Sequence, residues 1–70
     1  MTADECAQIA HAMGTDGGWD QWEEHHGDGG CSLTARWTGG EPLTAARVLV
    51  GRLGLEVKAK DLGHGVVRFN

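Results

Sequence analysis

The segment Gly30-Cys31-Ser32-Leu33-Thr34-Ala35-Arg36-Trp37-Thr38-Gly39-Gly40-Glu41-Pro42 carries two structural signals of opposite character. Cys31, Leu33, Ala35 and Trp37 alternate with small polar residues or Arg, the period of two that marks a half-buried strand. Gly39-Gly40 ends that alternation, and Pro42 suits the first position of a helix, where its missing N–H costs nothing. Leu43, Ala46, Val50 and Leu53 then follow helical spacing with Leu49 beside them, and Gly54 closes the helix. Gly51 falls inside this helix at a cost of up to about 1 kcal/mol against Ala, which predicts a neighbouring element pressed close to it.

On the N-terminal side, Gly27-Asp28-Gly29-Gly30 has turn composition and predicts a hairpin whose first strand covers residues 19 to 25. Trp19 and Trp22 lie three apart and cannot share one face of a regular strand, so a bulge or a short helical turn is expected near Asp20. Trp37, in the alternating strand, is the Trp expected in the core. Before the hairpin, Thr2 and Glu5 have the spacing of a capping box, and Asp4 and Glu5 sit where a helix dipole is positive. A helix over residues 3 to 13 follows, ended by Gly14, with Cys6, Ile9, Ala10 and Met13 as its apolar stripe.

On the C-terminal side, Leu55, Val57 and Ala59 alternate with Glu56, Lys58 and Lys60. Leu62-Gly63-His64-Gly65 reads as a turn, and residues 66 to 70 complete a second hairpin. The predicted architecture is therefore α+β: one domain over residues 1–70, a two-layer αββαββ arrangement with a mostly antiparallel sheet and two helices packed on one face.

With 70 residues, of which 40% are hydrophobic and 23% charged, the composition is that of an ordinary globular domain and excludes a disordered tail. A domain this short buries only about 60% of the surface its unfolded chain exposes, so marginal stability is expected. The longest apolar run, Val48 to Val50, falls far below the roughly 18 residues of a spanning helix. The start of the chain lacks the basic-then-apolar layout of a signal peptide. A soluble, cytoplasmic protein with no membrane partner is expected.

Charge is distributed unevenly. The net charge is -4, yet residues 1–35 hold seven acids and no Lys or Arg, whereas residues 36–70 hold six Lys and Arg against three acids. Asp16, Asp20, Glu23, Glu24 and Asp28 are interleaved with Trp19 and Trp22. Two readings are open: a solvated hairpin edge protected by its charges, or a recognition surface in which acids steer a basic partner and Trp anchors it. The second makes Asp16, Asp20, Trp22, Glu23, Glu24 and Asp28 the partner-binding residues. Direct nucleic-acid binding is not expected, because it depends on neutralising phosphates with cations. Lys58, Lys60, Arg68 and Arg36 read as a solvated face that lacks a stacking platform.

In size, charge layout and lack of catalytic motifs, the chain resembles, as a class, the small phage-encoded inhibitors of host defence, notably anti-CRISPR proteins. Many of these present acidic groups in place of phosphates to a basic nucleic-acid-binding surface. The resemblance implies a monomeric, non-enzymatic inhibitor that blocks nucleic-acid binding by a host effector, and it assigns no residue a role. The alternative is a small structural or regulatory domain that self-associates through Trp19 and Trp22.

No enzyme chemistry is expected. Ser32 lacks a nucleophile-elbow setting, the glycines form no phosphate loop, and nothing obvious orients His25 or His26 toward Cys31. Neither a cofactor nor a metal is expected: His26 and Cys31 form one loose pair, Cys6 and His11 another, whereas a structural zinc site uses four ligands in short paired spacings. Cys6 and Cys31 could close one disulfide. Both occupy apolar stripe positions, and in a reducing compartment they are expected to be free, buried thiols.

Overall fold

Thr2 opens the first helix through both halves of a capping box. The Glu5 N–H donates to Thr2 Oγ1 at 3.1 Å, and the Thr2 N–H donates to Glu5 Oε1 at 2.8 Å. That backbone donor holds the Glu5 carboxyl below its ordinary value. In the computed structural model, which describes residues 1–70, the elements run α1 (Ala3–Asp16), β1 (Trp19–Gly27), β2 (Gly30–Trp37), α2 (Pro42–Leu53), β3 (Ala59–Gly63) and β4 (Val66–Phe69). The four strands form one antiparallel sheet in the order β1-β2-β4-β3, as expected for the α+β arrangement.

Helix α1 passes through Gly14 and ends three residues later than expected. Thr15 Oγ1 donates back to the Ala12 carbonyl at 3.0 Å and Asp16 pairs with Arg52, so the last turn is held, and Gly17 at φ 74° stops it. Helix α2 ends as expected at Gly54, whose φ of 69° lets its N–H reach the Gly51 carbonyl and the Leu55 N–H reach the Val50 carbonyl, a Schellman closure. Gly51 itself lies exposed, with nothing within 4 Å of the place a Cβ would occupy. The close neighbour expected there is absent.

The strand faces follow from register. Leu33 pairs with Phe69 and Ala35 with Val67 on the covered side, while Thr34 pairs with Arg68 and Arg36 with Val66 on the open side. Cys6, Ile9, Ala12 and Met13 of α1 and Ala46, Leu49 and Val50 of α2 close the core over the covered side. Ala10, expected in the buried stripe, is half-buried beside it.

In the C-terminal hairpin the strand starts at Ala59, later than the alternation from Leu55 suggests, although Leu55 and Val57 still turn toward the core. His64 and Gly65 form a two-residue turn with φ of 56° and 80°, the primed geometry that matches strand twist. A Cβ on Gly65 would stand 2.9 Å from the Trp37 carbonyl oxygen.

The bulge expected near Asp20 is present: the β1–β2 register shifts between Asp20 and Glu23, and Gln21 takes a φ of 52°. It turns Trp19 inward and leaves Trp22 outside. The core Trp is therefore Trp19, 6% exposed, rather than Trp37, which is half-buried. Trp19 wins because it lies against both Trp37, centroids 4.9 Å apart, and Phe69 at 5.8 Å. Trp37, the register partner of Trp19 at the end of β2, keeps its indole N–H at the rim, donating to the Gly40 carbonyl at 2.9 Å.

Candidate functional site

Strand β1 lies at one edge of the sheet, and Gln21 to Gly27 are all exposed. Trp22 has 38% of its surface exposed and leaves the core immediately after the bulge. Beyond it the strand alternates. Glu23, opposite Thr34, and His25, opposite Ser32, share the open face, where His25 Nε2 lies 3.1 Å from Thr34 Oγ1. Glu24, opposite Leu33, and His26, opposite Cys31, take the helix-facing side at its margin. Asp28 occupies the turn into β2.

The six expected partner-binding residues divide into two groups. Asp16 is separated from the rest: it ends α1 and forms an ion pair with Arg52 of α2. Asp20 lies on the open face but is engaged by Arg36, whose Nε and Nη2 donate to its two carboxylate oxygens at 3.0 and 2.9 Å. That fork holds the Asp20 carboxyl below its ordinary value and raises the Arg36 guanidinium. Neither acid is a free negative charge. Trp22, Glu23, Glu24 and Asp28 do share the β1 edge and its turn, and none of these three acids has a Lys or Arg partner. Glu24 Oε1 instead lies 3.4 Å from His26 Nε2. The self-association pair is broken as well, since Trp19 is in the core and only Trp22 is available at the surface.

The topology turns the sequence asymmetry into a spatial one. Helix α1 rests on β1 and β2, and α2 chiefly on β3 and β4, so the acids of the N-terminal half, the paired Asp16 aside, gather at the β1 side. Arg47, Lys58, Lys60 and Arg68 belong to α2 and the opposite side of the sheet. On the open face, the row Glu23, Thr34, Arg68 and Lys60 runs from one charge sign to the other across four strands.

The cysteines depart from expectation. Cys6 of α1 and Cys31 of β2 form a disulfide, with Cα atoms 6.5 Å apart, and no free cysteine remains. Both were expected to be buried, and they are, at 0% and 4% exposure. What the stripe positions conceal is that α1 crosses β2 so that the two side chains meet. The Met1 carbonyl accepts from the Cys31 N–H at 2.7 Å, and the Met1 amine donates to the Cys31 carbonyl at 3.0 Å. A Cβ on Gly30 would stand 2.7 Å from that Met1 carbonyl oxygen.

Glu24, read from sequence as a partner-binding acid, and His26, weighed there with Cys31 as one loose pair, stand beside this disulfide. His26 Nε2 lies 3.9 Å from Cys31 Sγ. One donor atom each from Cys6, Glu24 and Cys31 falls within 4.8 Å of the others. The sequence signals for this neighbourhood are the His26–Cys31 pair across the turn and the period of two that puts 24 and 26 on one side. The chain matches no family model, no curated protein and no solved structure.

Proposed function

We propose that this chain is a monomeric, non-enzymatic binding module of the cytoplasm. Its β1 edge docks on a basic, nucleic-acid-binding surface of a partner protein and blocks nucleic acid there. The observation that supports this reading is the coincidence, along the sheet edge formed by β1 and the turn that follows it, of an exposed Trp22 with Glu23, Glu24 and Asp28, three acids that no Lys or Arg neutralises. Carboxylates held along a rigid strand offer a basic groove what phosphates offer it, and an aromatic among them supplies the desolvated anchor that charge alone lacks. Asp16 and Asp20 drop out of the docking set, because a partner's cation would have to displace Arg52 or Arg36 first. A host-defence effector is the kind of partner implied by the class of acidic inhibitors that the charge layout resembles.

The test is capture from a host lysate with the wild-type chain and with a Glu23→Lys, Asp28→Lys variant, each at low and high salt. A basic nucleic-acid-binding protein retained by wild type at low salt, lost by the variant and displaced by added nucleic acid supports the reading. Retention of the same protein by both chains refutes it and reduces the acids to a guard against edge pairing.

A further inference from the structure

We infer that, once its disulfide is reduced, the chain binds one zinc ion through Cys6, Glu24, His26 and Cys31, so that the metal and the disulfide are alternative staples between α1 and β2. The four donors come from three elements that the fold already holds together. Zinc bonds of about 2.3 Å to thiolate and about 2.0–2.2 Å to nitrogen or oxygen set ligand-to-ligand separations of roughly 3.3–3.8 Å in a tetrahedron. Glu24 Oε1 and His26 Nε2 already stand at 3.4 Å. His26 Nε2 and Cys31 Sγ stand at 3.9 Å, and Cys6, Glu24 and Cys31 are mutually within 4.8 Å. The two sulfurs are too close, because they are bonded, and His26 Nε2 is not within 4.8 Å of all three other donors, so the side-chain rotation that parts the sulfurs, between Cα atoms 6.5 Å apart, must also bring Cys6 Sγ toward the imidazole.

The surroundings fit a metal. The two sulfurs are buried, while the side chains of His26 and Glu24 keep 59% and 36% of their surface exposed, which leaves the β1 edge as the entry path. His25 faces the opposite side of the sheet and takes no part. Two thiolates, a neutral imidazole and a carboxylate suit zinc better than a hard cation such as magnesium or calcium.

The exchange balances in two steps. A thiol reductant supplies two electrons, cleaving the Sγ–Sγ bond and becoming a disulfide itself, and its two protons leave Cys6 and Cys31 as thiols. Zinc(II) then displaces one proton from each thiol, releasing both to solvent, and takes the Nε2 lone pair of His26 and one Glu24 oxygen with no change of oxidation state. A reducing compartment opens disulfides, and there the metal supplies the crosslink that so small a core needs.

The experiment titrates zinc against a chromophoric chelator into the full chain, air-oxidised or reduced with a phosphine, and repeats the reduced titration with cobalt(II). The reduced chain should take up one equivalent and the oxidised chain none, cobalt should give the visible bands of a tetrahedral thiolate site, and zinc should raise the melting temperature of the reduced chain. A Cys6→Ser, Cys31→Ser chain should lose stoichiometric uptake. His26→Ala and Glu24→Gln should each weaken binding by more than the ~10- to 100-fold that follows loss of a group merely hydrogen-bonded to a ligand. Absence of uptake by the reduced chain, equal uptake by the oxidised chain, no rise in melting temperature with zinc, or wild-type affinity in either the His26 or the Glu24 variant would overturn the assignment.

Discussion

Trp19 and Trp22 differ in environment although only two residues separate them, and their substitutions should separate accordingly. Trp19→Ala empties a site packed against Trp37 and Phe69 and should destabilise by about 3–5 kcal/mol, the usual cost of removing a large core aromatic. Trp22→Ala should leave the denaturation midpoint near that of wild type and cost about 2 kcal/mol or more in partner affinity. Equal midpoints for the two variants would contradict this placement. Asp20 gives a prediction in pH. Arg36 holds its carboxyl below the ordinary value in the folded chain, so on acidification the unfolded chain takes up the proton first. The stability contributed by the pair is complete above the ordinary carboxylate range and is lost as pH falls through the depressed value. Asp20→Asn should therefore shrink the acid fall in urea midpoint and leave the neutral range parallel to wild type, with a modest effect at so exposed a site. At this scale the sequence announced that 19 and 22 could not share a face. It could not say which would turn inward, because that depends on where the extra residue of the bulge falls.

At the scale of elements, the most consequential link joins α1 to β2. Closing about 25 residues of chain should contribute about 3–4 kcal/mol in the loop-entropy account. Reduction in the presence of a chelator should then lower the urea midpoint sharply, and an unchanged midpoint would mean that the bond adds nothing to the packing. Helix α2 carries a gain of the opposite sign. Nothing stands near the position a Cβ would take at Gly51, so Gly51→Ala should stabilise by about 0.4–1 kcal/mol by restricting the unfolded chain, as a rise in thermal midpoint would record. The helices and strands themselves were legible because Thr2, Glu5, Pro42, Gly54 and the alternation from Cys31 to Trp37 are local signals. Two features were not. The run of α1 through Gly14 depends on Thr15 bonding back to Ala12 and on Asp16 reaching Arg52, a residue of the other helix. The disulfide depends on α1 crossing β2 at Cys6, which no local pattern encodes.

For the whole molecule, the order β1-β2-β4-β3 carries the N-terminal half to one edge and the C-terminal hairpin to the other, so a chain polarised in sequence becomes polarised in space. The acidic run was legible as composition, but its division was not: Arg36 and Arg52, remote in sequence, neutralise Asp20 and Asp16 and leave Glu23, Glu24 and Asp28 beside Trp22. Charge at an interface rim acts mainly on association and is screened over about 8 Å at physiological salt. Burial of an anchor acts mainly on dissociation. The most direct measurement is the association rate of the captured basic partner, followed across a salt series for wild type and for the Glu23→Lys, Asp28→Lys chain. The β1 edge predicts a wild-type rate that falls steeply with salt and a variant rate that is slower and nearly flat, with the fold unchanged by circular dichroism. Equal rates and equal salt slopes for the two chains would contradict it.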